Sequence, residues 1–174
     1  MSIDLARYVR DVADFPKPGV VFKDLTPLLA DAGAFAASIE ALVAPFLDAK
    51  VERVVGIEAR GFIFGAAAAH VLGAGFVPMR KPKKLPATTI GVDYALEYGS
   101  DRLEMHADAL VRGERVLVVD DVLATGGTLA AAADLCDAAG AAIVGAAVMA
   151  EIAFLGGRAR WRRTAPLHAV LRFA

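Results

Sequence analysis

Residues 116–128 read Val-Leu-Val-Val-Asp-Asp-Val-Leu-Ala-Thr-Gly-Gly-Thr, and this string gathers the residue types that hold a phosphate. Four apolar residues, Val116 to Val119, make a buried strand. Two carboxylates, Asp120 and Asp121, follow at its C-terminal end, where open α/β sheets bind ligands. The Ala124-Thr125-Gly126-Gly127-Thr128 turn then opens a helix. Glycines in such a turn let backbone N–H groups converge on an anion, and the helix N-terminus adds the positive end of its dipole. Thr125 and Thr128 add hydroxyls. A P-loop needs Lys-Ser/Thr after its last glycine, whereas Gly127 is followed by Thr128 and Leu129; the dinucleotide fingerprint G-x-G-x-x-G is absent. What remains is a site for a monophosphate, with two acids placed for hydroxyls or Mg²⁺. Adjacent strand residues point to opposite faces, so a sugar diol taking one acid per hydroxyl fits better than a joint acid/base dyad. The bland alternative is a strand end with capping acids before a helix. The joint demand for strand, acids, glycines and helix argues against it.

The elements that must position this string read as alternating strands and helices. The chain has 174 residues, 57% hydrophobic and 22% charged, with a net charge of −1. That is enough to bury a core and implies one domain spanning 1–174. With 19 Lys+Arg against 20 Asp+Glu, there is no basic field for nucleic acid. The single cysteine, Cys136, excludes a disulfide framework and a CxxC metal site, suits a reducing compartment, and reads as core filler. Residues 61–79 carry no formal charge, but Gly73, Gly75 and Pro78 divide them into helix, stop and strand rather than one membrane span. Asp4, Arg7, Arg10 and Asp11 leave no apolar signal-peptide core, so a soluble cytoplasmic protein is expected.

Residues 2–14 are read as a short helix with Ser2 as N-cap, and Phe15 to Pro27 as a proline-containing ordered loop. A helix over 31–49 follows, then strand 53–57, helix 61–72, strand 75–80 and a basic loop over 81–90. Strands at 91–98 and 102–106 come next, then strand 115–120, a turn over 121–127 and an alanine-rich helix ended by Gly140. Strand 141–150, the Gly156-Gly157 turn, an arginine cluster and strand 167–173 complete the chain. The alternation predicts an α/β fold with a mostly parallel central sheet flanked by helices.

The 116–128 string resembles the phosphoribosyl-pyrophosphate (PRPP) motif of the type I phosphoribosyltransferases. Four further stretches resemble the adenine-specific branch of that family. They are Phe15-Pro-Lys-Pro-Gly-Val-Val-Phe-Lys-Asp-Leu-Thr26, Val55-Gly-Ile-Glu-Ala-Arg-Gly-Phe62, Val77-Pro-Met-Arg-Lys-Pro-Lys-Lys-Leu-Pro86 and Leu96-Glu-Tyr-Gly99. The resemblance implies the type I fold, with residues 1–30 as a small base-binding hood and 31–174 as the core. It implies the Mg²⁺-dependent reaction of adenine with PRPP to give AMP and pyrophosphate, in a homodimer. Neither a nucleic acid nor a membrane is an expected partner.

By that resemblance Asp120 and Asp121 hold the ribose hydroxyls, with Mg²⁺ nearby but held mainly by PRPP. Ala124, Thr125, Gly126, Gly127 and Thr128 bind the 5′-phosphate. Glu58-Ala59-Arg60-Gly61 binds pyrophosphate, a loop that in the family often holds a non-proline cis peptide; Arg60 offers paired donors. Arg80 and Lys84 bracket a mobile loop that closes over the leaving group. Val21, Phe22 and Lys23 form the adenine pocket, Phe22 stacking on the base and Lys23 standing where arginine is common. Glu97 approaches N7 of the purine as proton partner, beside Tyr98. Glu97, Arg60 and Lys84 are the expected catalytic residues.

Other candidates carry less. His70, His106 and His168 share no spacing that would make a zinc site or triad. Arg158, Arg160, Arg162 and Arg163 around Trp161 read as a solvated face or part of a subunit contact. Two other functions fit parts of the pattern: transfer to a 6-oxo purine, and a non-catalytic PRPP-sensing regulator that binds nucleic acid. The Val21-Phe22-Lys23 and Leu96–Gly99 stretches argue against the first, and the charge balance against the second.

Overall fold

The computed structural model describes residues 3–96 and 99–174. The chain packs as two compact units, Met1–Ala41 and Leu42–Ala174, and the division falls inside a helix.

In the first unit, the expected helix over 2–14 is replaced by a short 3-10 turn and a hairpin. Asp4 caps the turn Leu5–Tyr8, its carboxylate accepting from the Ala6 N–H, and Ser2, the expected N-cap, lies outside the described residues. Strand β1 (Arg10–Ala13) then pairs antiparallel with β2 (Val21–Asp24), from Arg10 opposite Asp24 to Ala13 opposite Val21. The reason is non-local: Arg10 meets Asp24 at 2.5 Å and Lys23 meets Asp11 at 2.6 Å, charge pairs that only the hairpin brings together. The proline-containing loop is correspondingly shorter than expected, because β2 and helix α1 (Thr26–Ala30) occupy its second half. Asp14 Oδ1 accepts from the Gly19 N–H across the turn. Helix α2 (Ala32–Val43) starts where Asp31 Oδ1 accepts from the Ala34 N–H, an N-cap that sequence type alone favours. It stops six residues short of Ala49. Pro45 cannot donate within a helix, and residues Ala44–Phe46 tighten into a 3-10 turn.

The second unit is built on a five-stranded, all-parallel sheet. Its strands are β3 (Arg53–Ile57), β4 (Gly75–Met79), β7 (Arg115–Leu123), β8 (Ala142–Ile152) and β9 (Leu167–Phe173). Their order across the sheet is β4-β3-β7-β8-β9. Helix α3 (Gly61–Leu72) links β3 to β4, and Gly73 ends it in the left-handed conformation at φ +64°. Helix α4 (Gly127–Ala138) links β7 to β8. Both faces of the central strands are covered, so Val54, Val55, Ile57 and Val116 to Val119 are buried regardless of which way they point. Cys136 on α4 is buried, and burial pushes its thiol up to about 12, as core filler requires. The antiparallel ribbon β5 (Thr89–Leu96) and β6 (Gly99–His106) stands apart from the sheet. A bridge between Arg80 and Glu104 joins it to the end of β4. Among the described residues, no helix is long and apolar enough to cross a membrane.

The chain runs outward from β3 to β4 on one side and from β7 to β8 on the other. The two directions part between β3 and β7, at their C-terminal ends. Such a switch point is where open parallel sheets hold ligands.

Candidate active site

Two loops leave the sheet at this switch point. After β3 comes Glu58-Ala59-Arg60, with the Glu58–Ala59 peptide in cis. After β7 comes Ala124-Thr125-Gly126, leading into α4. Strand β7 extends to Leu123, so both acids sit within the strand instead of opening the turn.

Asp120 and Asp121 are each under a tenth exposed. Asp120 packs against the first residue of α3: a Cβ at Gly61 would stand 2.8 Å from Asp120 Oδ1, so glycine is required for this approach. The same oxygen accepts from the Asp121 N–H at 2.9 Å. Burial, and then the neighbouring charge of Asp121, raises the Asp120 carboxyl well above the ordinary carboxylate range. Asp121 Oδ2 faces Arg60 Nε at 2.5 Å, as an ion pair without an aligned hydrogen bond. The pyrophosphate loop and the acid pair expected from sequence are therefore in direct contact.

Glu58 gathers the cations of the loop after β4. Arg80 donates to it through Nε at 3.4 Å and Nη2 at 3.3 Å, the Lys81 backbone N–H at 2.9 Å, and Lys84 Nζ at 2.5 Å. The side chain is 9% exposed, and its burial opposes ionisation; the bonds from Lys84, Lys81 and Arg80 outweigh that and hold the carboxyl at about 2. Arg80 and Lys84 are expected to reach a leaving group, and here both stand over the cis peptide loop. Lys81 pairs with Asp101 and donates to the Tyr94 hydroxyl at 2.8 Å. Thr128 Oγ1 lies 3.5 Å from that same hydroxyl. Tyr94 thus stands between the cationic loop and the start of α4, a contact that no sequence spacing announces.

The turn before α4 has the form of an anion cradle. Gly126 is its N-cap at φ +80°, and because glycine has no side chain it leaves the first N–H groups of α4 without a side-chain cap from that position. Gly126 and Gly127 are buried, while Thr125 is exposed at the mouth.

The remaining expectations divide. Val21, Phe22 and Lys23 lie on β2 in the first unit; Phe22 packs edge-on against Phe15 at 5.2 Å, and Lys23 reaches Asp11. Glu97 and Tyr98 lie outside the described residues. His106 Nε2 accepts from the Ala87 N–H, a structural contact. The arginine cluster is not a plain solvated face. Arg158 grips Glu151, and Arg163 bridges Asp134 and Asp137 at 2.6 Å while stacking on Trp161. Arg163 finds its acids on α4, far off in the sequence, Arg158 reaches back seven residues to Glu151 across the Gly156 turn, and Arg160 and Arg162 are exposed.

Among the described residues, no three His, Cys, Asp or Glu side chains converge as a metal cage. The hard oxygens available at the switch point are those of Asp120 and Asp121.

Comparison with known proteins agrees with this geometry. The Phosphoribosyl transferase domain family matches residues 24–164. Adenine phosphoribosyltransferase from Xanthomonas campestris pv. campestris (strain B100) is 57% identical over 165 residues, covering 95% of this chain and 89% of that protein. The crystal structure of adenine phosphoribosyltransferase from Rhodothermus marinus superposes with a TM-score of 0.93 at 49% identity, covering 97% of this chain and 96% of that one. The enzyme from Saccharomyces cerevisiae, complexed with D-DIAB (an imino-altritol bisphosphate) and adenine, gives a TM-score of 0.90 at 37% identity over 96% of each chain. With its sheet order, its cis peptide loop beside the acid pair and these relatives, the chain belongs to the adenine phosphoribosyltransferase family.

Proposed function

We propose that this chain transfers the 5-phosphoribosyl group of PRPP to adenine, releasing pyrophosphate and AMP, as an enzyme of purine salvage. One observation carries the reading: the Glu58–Arg60 loop and the Asp120–Gly127 segment meet at the switch point, joined by the Arg60–Asp121 ion pair. A cation-bearing loop and an anion cradle flanking two carboxylates match a substrate with pyrophosphate at one end, phosphate at the other and a diol between.

Displacement at the anomeric carbon passes through an oxocarbenium-like state, so the chain must hold the sugar, disperse charge on the leaving group and orient the base. The 5′-phosphate sits at the α4 N-terminus, on backbone N–H groups of Ala124, Thr125, Gly126, Gly127 and Thr128 and on the two threonine hydroxyls. Asp120 and Asp121 accept from the ribose hydroxyls, and their negative potential favours the positive charge that develops on the sugar. Pyrophosphate is received by the Glu58-Ala59-Arg60 loop together with Arg80 and Lys84, whose charges Glu58 keeps gathered in the meantime. Mg²⁺ fits this donor set as an ion carried mainly on PRPP oxygens, with Asp120 and Asp121 nearby; it neutralises phosphate charge when bound. Val21, Phe22 and Lys23 receive the adenine ring, and Glu97, beside Tyr98, exchanges a proton with its N7.

The protein acts in the cytoplasm, a compartment that suits a single buried thiol. It works as a homodimer, a reading that half-exposed Ile63 and Val71 on α3 support.

Pyrophosphate release with PRPP and Mg²⁺ tests the proposal, comparing adenine, hypoxanthine, guanine and no base. Release with adenine alone is the expected result. Release with a 6-oxo purine instead overturns the base assignment, and PRPP binding without release for any base overturns the enzyme.

A further inference from the structure

The cradle at the start of α4 does not stand alone. Its Gly126 lies against Gly157, a buried residue of the 3-10 turn Gly157–Arg160 that follows β8. The approach is backbone on backbone. A Cβ on Gly126 would collide with the Gly157 carbonyl, and a Cβ on Gly157 would collide with the Ala124 carbonyl and lie 2.8 Å from the Gly126 nitrogen. Neither glycine can take a side chain without parting the two loops. The site reading accounts for Gly126 through its left-handed φ, but it does not account for Gly157.

The residue after Gly157 fastens this turn. Arg158 donates to Glu151 through Nε at 3.0 Å and through Nη2 at 2.6 Å, and its Nη1 donates to the Leu167 carbonyl at 2.7 Å. Glu151 is only 3% exposed and pairs in register with Leu123, the last strand residue before the cradle. Leu167 begins β9. One guanidinium therefore ties the Gly157 turn to both β8 and β9, beside the point where the chain leaves β7. Bidentate pairing of this kind fixes direction as well as distance.

We propose that Gly157, held by the Glu151–Arg158 pair, is a positioning residue for the phosphate cradle, forming the rear wall that sets the direction of its backbone N–H groups. This rests on the reading that residues 124–128 hold the 5′-phosphate. Backbone donors cannot adjust by rotating a side chain, so an ångström of slack in the loop lowers phosphate affinity directly.

The test is steady-state kinetics joined to direct titration of two probes, ribose 5-phosphate and pyrophosphate. The variants are Gly157→Ala and the double variant Glu151→Gln with Arg158→Gln, which removes the lock without leaving a buried charge unpaired. Both are expected to raise KM for PRPP and weaken ribose 5-phosphate binding about tenfold, with KM for adenine and pyrophosphate affinity within about twofold. Arg158→Lys keeps the charge but loses the fork, and should fall between wild type and the double variant. If Gly157→Ala fails to fold, the double variant decides alone. An equal loss for all ligands, or none, overturns the proposal. Thr128→Ala serves as the control on the underlying reading. If it leaves ribose 5-phosphate affinity intact, the cradle assignment fails and the proposal with it; if it weakens binding while the double variant does not, only the rear wall fails.

Discussion

Glu58→Gln removes the charge around which Arg80, Lys81 and Lys84 are organised, while keeping the size and an acceptor oxygen of the side chain. The wild-type carboxyl is drawn from its ordinary 4.5 to about 2 because the bonds from Lys84, Lys81 and Arg80 overcome the opposing effect of burial. At about 1.36 kcal/mol per tenfold change in proton affinity, that depression corresponds to roughly 3 kcal/mol of folded-state preference for the ionised form. Lys84 is 47% exposed and Arg80 33%, so solvent screens the pairs and about 1–2 kcal/mol is the realistic contribution. The sign follows from the depressed folded value. The stabilisation is complete above the unfolded value of 4.5 and drains away as pH falls toward about 2. Urea unfolding of wild type and variant across that range isolates it, because Asp24, Asp101 and Glu151, also held low, titrate alike in both proteins and cancel. Wild type should exceed the variant by about 1–2 kcal/mol near neutrality, and the gap should close below the range, with similar m-values. A gap that stays constant with pH would refute the idea that Glu58 is held ionised by its three partners.

Three further outcomes are expected. Asp120→Asn and Asp121→Asn should each lower turnover with PRPP by about a hundredfold or more while the fold persists by circular dichroism. The Asp120 amide should cost little stability, because burial already disfavours its charge. Gly126→Ala should destabilise the protein by about 2 kcal/mol or more in urea titration, since its φ of +80° and the Gly157 carbonyl both exclude a Cβ; an unchanged midpoint would contradict that packing. Glu97→Gln should slow adenine turnover by about a hundredfold or more, and an unchanged rate would remove Glu97 from proton transfer.

Much of the chemistry could be read from the sequence because it is local. The string 116–128 places strand, acids, glycines and helix start next to one another, and each residue type has the same preference whatever surrounds it. Strand 53–57 and helix 61–72 match their expected bounds, since they end at Glu58 and Gly73, and strand 167–173 matches as well. Pro45 was equally local, and its power to end α2 belongs to the same class of signal. The tertiary structure alone decided which distant groups meet. Residues 10–13 became a strand because β2 supplied partners for Arg10 and Asp11. Glu58 became the anchor of Arg80 and Lys84, Arg158 that of a buried Glu151, and Gly157 the wall behind Gly126. The hairpin pairs depend on β1 meeting β2, and the Glu58 and Gly157 contacts on which strands lie side by side in the sheet; a linear reading weighs only small local preferences and sees none of these partners.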